Sequence, residues 1–111
     1  MIASPAFFVG VDILDDDNAL RVRFELERGI ILKFMVQLEC RFEDDAKWVP
    51  VVRYDTAHGF AHCDILHPHD ESTKIELPGL NYNEALTSAM DDLVGHWGAY
   101  RRRYERWLKQ K

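Results

Sequence analysis

Between residues 20 and 54 the chain alternates apolar and polar side chains, and that rhythm leaves few folds open. Leu20, Val22, Phe24 and Leu26 fall at even positions, with Arg21, Arg23, Glu25 and Glu27 between them. Ile30, Leu32, Phe34, Val36, Leu38, Cys40 and Phe42 repeat the pattern against Lys33, Gln37, Glu39, Arg41 and Glu43. A period of two sends successive side chains to opposite faces, so these are strands with one buried and one wet face, as in antiparallel sheets. A slip of one residue would reverse every side chain, so the loops must keep even positions opposite even positions. A three-residue loop Glu27-Arg28-Gly29 does so with Gly29 in the left-handed position, opposing Leu26 to Ile30 and Phe24 to Leu32. A loop Asp44-Asp45-Ala46 likewise opposes Glu43 to Lys47 and Phe42 to Trp48. Trp48, Pro50, Val52 and Tyr54 then extend the buried face. Pro50 has no amide hydrogen for a ladder and belongs at an edge or a bulge.

The flanks complete a meander. Residues 7–14 read as a first strand weakened by Gly10, and Asp15-Asp16-Asp17-Asn18 as a polar turn, since Asp and Asn satisfy their own backbone there. The longer alternating ligand pattern of a calcium loop is missing. Thr73–Leu77 is a short edge strand, and Pro78-Gly79 breaks it. With Asn81 as N-cap, Glu84 stands at the third helical position, close to a capping box. Leu86, Met90, Leu93, Trp97, Tyr100, Tyr104 and Trp107 then recur at spacings of four and three, one apolar stripe on a long helix. A helix over about 82–109 would be roughly 40 Å long. That exceeds the diameter of about 26 Å expected for a domain of this size. The helix is therefore expected either to bend at Gly95-His96-Trp97-Gly98 or to project and pair with a second copy.

The chemistry concentrates in residues 51–69. A two-residue turn at His58-Gly59 pairs Asp55 with His62, Tyr54 with Cys63, Arg53 with Asp64 and Val52 with Ile65. Val52, Tyr54, Cys63 and Ile65 continue the core face. Arg53, Asp55, His62 and Asp64 share the other as two cross-strand ion pairs, each worth about 0.2–1 kcal/mol. A carboxylate beside an imidazole also makes a general acid or base, and an arginine beside them can hold a phosphate. That set suits metal-independent phosphodiester cleavage, or a simple anion-binding patch. His58, His62, Cys63, Asp64, His67 and His69 could ligate zinc. Cys63 faces the core, however, and neither C-x-x-C nor H-E-x-x-H spacing occurs, so no metal and no cofactor is expected. Cys40 and Cys63 read as reduced core thiols.

The segment Arg53-Tyr54-Asp55-Thr56-Ala57-His58-Gly59 through Pro68, with Asn83-Glu84-Ala85-Leu86 in the helix, resembles a group of short, uncharacterised prokaryotic proteins over about residues 30–108. More distantly, at the hairpin and in general layout, it is similar to TumE-type toxins of toxin–antitoxin pairs. That resemblance implies action on RNA, an antitoxin partner, and Arg53, Asp55 and His62 as the matching positions.

The net charge of −5 conceals a gradient. Residues 99–111 carry six basic groups against Glu105, so the other 98 residues sum to −10. Cations at a helix C-terminus complement its dipole. Arg101, Arg102, Arg103 and Arg106, mixed with Tyr104 and Trp107, would also suit a phosphate backbone with stacked bases, or an acidic partner. No apolar run approaches a membrane span, and Met-Ile-Ala-Ser-Pro-Ala lacks the marks of a signal peptide, so a cytoplasmic location is expected. The 111 residues should form one α+β domain: a meander of about five antiparallel strands over about 7–77, with a C-terminal helix over about 82–109 across its apolar face. Two functions follow. One is a TumE-like toxin acting on RNA, with Arg53, Asp55, His62 and Asp64 catalytic. The other is a non-catalytic interaction module, dimeric through the helix.

Overall fold

The computed structural model describes residues 5–43 and 46–110, which fold into six strands and one helix. The strands are β1 (Ala6–Asp15), β2 (Asn18–Glu27), β3 (Ile30–Cys40), β4 (Val49–Asp55), β5 (His62–Ile65) and β6 (Thr73–Glu76), followed by α1 (Tyr82–Lys109). They form one antiparallel sheet in chain order, the expected meander with one strand more than anticipated. The helix packs on β3 and β4, on the apolar side of the sheet. Leu20, Val36, Leu38, Cys40, Val52 and Leu93 are fully buried there.

The turns follow local chemistry. At the β1–β2 turn Asp15 Oδ1 accepts from the Asp17 amide and from Asn18 Nδ2, both at 2.8 Å. These bonds hold its carboxyl below the usual range. The β2–β3 connection departs from expectation. Arg28 and Gly29 both take positive φ, 50° and 78°, in a two-residue turn that pairs Glu27 with Ile30. A bulge follows at once: Leu26 pairs with Ile31 but Glu25 with Lys33, leaving Leu32 unpaired. Phe24 therefore faces Phe34. Ile31 points into the core, while Ile30 and Leu32 are exposed. Asn83 on the helix secures the bulge, accepting from the Ile31 amide and donating to the Gly29 carbonyl, both at 2.9 Å.

The β3–β4 ladder pairs Leu38 with Val52, as the parity of the intervening loop requires. That loop, expected at Asp44-Asp45-Ala46, begins outside the described residues. A second bulge leaves Val51 unpaired, so Glu39 meets Pro50 and Cys40 meets Val49. Pro50 thus sits beside the bulge. Past it the faces exchange: Trp48 leaves the buried face and lies exposed under the Arg41 guanidinium, 5.2 Å from its ring centre.

The helix begins where predicted, with Asn81 Oδ1 accepting from the Glu84 amide at 2.9 Å. It runs unbroken through Gly95 and Gly98. It neither stops there nor projects alone, because strands of ten and eleven residues extend the sheet and the molecule measures 55 × 28 × 21 Å. Its buried face includes two small residues, Ala85 and Ala89, both fully buried. No helix among the described residues is long and apolar enough to cross a membrane.

Candidate functional site

The hairpin register is the one expected, with Asp55 opposite His62, Tyr54 opposite Cys63, Arg53 opposite Asp64 and Val52 opposite Ile65. The connection is longer. Residues 56–61 leave the ladder, the Gly59 amide donates to the Thr56 carbonyl at 3.1 Å, and Gly59 alone in this loop has positive φ. Buried Thr56 is the cause. Its hydroxyl accepts from the Phe34 amide at 3.1 Å, tying it to β3 where the expected two-residue turn would have continued the ladder.

Alternation places Arg53, Asp55, His62 and Asp64 on one face, yet that face is not wet at its centre. His62 is 1% exposed and Asp64 8%. The rings of His58 and Phe60 lie 5.6 Å from the His62 ring, and β6 sets Glu76 and Lys74 opposite His62 and Asp64. His62 Nε2 stands 3.0 Å from Asp55 Oδ1 and 3.5 Å from Asp64 Oδ2, with Nδ1 3.4 Å from the Phe60 carbonyl. The Arg53–Asp64 ion pair is not made. Arg53 Nε donates to Gln37 Oε1 at 2.6 Å, and Gln37 Nε2 donates to Glu39 Oε1 at 2.9 Å. Arg21 grips the same Glu39 at 2.7 Å, which lowers that carboxyl. Besides His62, Asp64 has Lys74 3.9 Å from Oδ1, beyond hydrogen-bonding reach, and Oδ1 is buried without a hydrogen-bond partner. Beside Asp55 the same face opens into a cavity of about 350 Å³ whose walls include Phe7, Arg23, Lys33 and Met35.

The other histidines lie elsewhere. His67 stacks on Trp107 at 4.4 Å, and His69 Nε2 meets the Leu108 carbonyl at 3.3 Å, so this pair packs the β5–β6 loop against the end of α1. His96 leans on Asp92, with Nδ1 3.1 Å from Oδ1. Both thiols are buried, which pushes each up to about 11.

A second polar cluster escaped the sequence reading. Asp92 Oδ2 accepts from Tyr54 Oη at 2.6 Å and from Tyr100 Oη at 2.7 Å. Burial first, and donation to a carboxylate second, raise both phenols above the ordinary tyrosine range. A signal existed: a tyrosine assigned to a core face needs a partner for its hydroxyl, and the helix over it had to supply one.

The basic residues of the helix end do not share a face. Arg101 turns inward, donating to Asn18 Oδ1 at 2.9 Å and lying 4.5 Å over the Phe42 ring. Arg103 lies over Tyr100 and Trp107, with Nη2 buried and unpartnered. Arg102 and Arg106 are exposed.

A meandering antiparallel sheet with one C-terminal helix across it, carrying an Asp–His–Asp cluster whose histidine and second aspartate are buried, defines the class of α+β domain. Within that class the chain belongs to a family described as Domain of unknown function (DUF7718), whose model matches residues 10–110. Comparison with curated proteins and with solved structures brings no match.

Proposed function

We propose that this protein is an interaction module that pairs with a second copy of itself through β1. The observation that carries the proposal is the exposure of an apolar edge strand. Phe7, Phe8, Val9, Val11 and Ile13 are 48–69% exposed, on a strand whose outer edge has no neighbour in the sheet among the described residues. Long edges of this kind are ordinarily blunted by charge, proline or a covering segment, because their free amides and carbonyls recruit other strands. In β1 only Asp12 and Asp15 carry charge.

A second copy fits for reasons of pattern. An antiparallel two-fold centred on Gly10 sets Phe7 opposite Ile13, Val9 opposite Val11 and Asp12 opposite Phe8, so no like charges meet. Closed two-fold pairing is also the commonest form of self-association. The helix offers less for this purpose, since its apolar stripe packs on its own sheet and Val94 and Leu108 are its exposed large hydrophobics. Light scattering after gel filtration should give a dimer at micromolar concentration. Val9→Lys, at an exposed position, should give a monomer with unchanged circular dichroism. A monomeric parent chain at tens of micromolar would sink the proposal.

The toxin reading stands second, on the 3.0 Å contact between Asp55 and His62, the pair the resemblance singles out. In it His62 is the acid–base, Asp55 orients it, Arg53 binds phosphate and an antitoxin is the partner. His62 is 1% exposed, so RNA could reach it only if residues 56–61 swing away. Growth inhibition and RNA cleavage that survive both His62→Ala and Arg53→Ala would end this reading.

A further inference from the structure

We propose that Asp55, His62 and Asp64 bind a divalent first-row transition ion of the zinc class. One ligand atom from each residue can be chosen so that all three lie within 4.8 Å of one another. The decisive separations are 3.0 Å from His62 Nε2 to Asp55 Oδ1 and 3.5 Å to Asp64 Oδ2. In a tetrahedral zinc centre with bonds of about 2.0–2.1 Å, neighbouring ligand atoms lie about 3.3 Å apart. The observed spacings bracket that value, so an ion could enter by small side-chain rotations with the hairpin unmoved.

Three further features point the same way. Asp64 is 8% exposed, and its Oδ1 is buried with no hydrogen-bond partner, the Lys74 ammonium standing 3.9 Å off, so this carboxylate is left with an oxygen that a closer cation would satisfy. His62 Nδ1 lies 3.4 Å from the Phe60 carbonyl. A proton on Nδ1 directed there leaves the Nε2 lone pair for the ion, the usual support behind a ligating histidine. Two carboxylates and a neutral imidazole also cancel a divalent charge, which a buried site favours. The imidazole selects zinc-like ions over magnesium or calcium, which take oxygen ligands. Hairpin parity already puts the three residues on one face, but they match no ligand-spacing motif, and their burial and close approach come only from the folded structure.

The test is calorimetric titration of the chelator-stripped full-length chain with zinc chloride, with magnesium chloride as control. One zinc per chain is expected, with a rise in melting temperature and no magnesium binding. Asp64→Asn and Asp55→Asn, near-isosteric changes checked by circular dichroism, should each weaken zinc binding at least about tenfold. The double variant His67→Ala/His69→Ala should bind like the parent. Failure to bind one zinc per chain overturns the proposal. Undiminished binding in both aspartate variants, or binding abolished by the loss of His67 and His69, overturns it too. None of these readouts depends on whether the chain pairs through β1.

Discussion

Asp92 is the side chain that joins the helix to the hairpin, and it does so with a single oxygen. Two phenols donate to Oδ2, and hydrogen bonds to a charged acceptor contribute about 1.5–3 kcal/mol each. Because the folded protein raises both tyrosines above their ordinary value near 10, the sign of the pH dependence follows. The stabilisation is complete below about pH 10. Above it the unfolded chain loses phenolic protons that the folded chain keeps, so stability falls as pH rises. Urea midpoints measured at pH 8 and 10.5 should show this decline. Tyr54→Phe/Tyr100→Phe should start lower and decline less, and equal slopes in parent and variant would contradict the assignment. At this scale the sequence was legible in part. The Asp55–His62 contact followed from parity alone. The loss of the Arg53–Asp64 pair did not, because Arg53 has a second cross-strand neighbour, Gln37, and only the packed face decides between them.

The strands and helix were largely readable as elements, since alternation, capping and turn chemistry are interactions between near neighbours in the chain. The helix span and its Asn81 cap agree with the structure. The two bulges were unreadable for one reason. Ile30-Ile31-Leu32 and Val51-Val52 are apolar at both parities, so the pattern could not say where a residue would be skipped. Gly95 does not serve close packing, as a Cβ placed there meets nothing within 4 Å. Gly95→Ala should therefore stabilise the fold by about 0.5–1 kcal/mol, read as a higher urea midpoint with unchanged slope. A loss of stability would show that the helix is strained at this point. The buried stripe of the helix also contained more than its large residues, because Ala85 and Ala89 are fully buried in the core.

As a whole the molecule is long, 55 Å in one direction, and unevenly covered. The helix shields β3 and β4, leaving β1 with an uncovered apolar stripe and an open edge. If that edge is satisfied by a second copy, melting must depend on protein concentration, because dissociation is part of unfolding. Raising the concentration a hundredfold should raise the melting temperature of the parent chain and leave Val9→Lys unchanged. An invariant parent would count against pairing.

The sequence by itself determined the antiparallel meander, the extent of the helix and the register that brings Asp55 to His62. Each of these follows from periodicity and turn chemistry, which act over a few residues. Only the tertiary structure decided that His62 and Asp64 are buried, that Arg53 turns away from Asp64, and that β1 lies bare. Burial is settled by which distant segments cover a face. Here those are β6, which flanks β5 in the sheet, and the helix, which packs on β3 and β4 but not on β1, and neither leaves a local mark in the residues it covers or leaves bare.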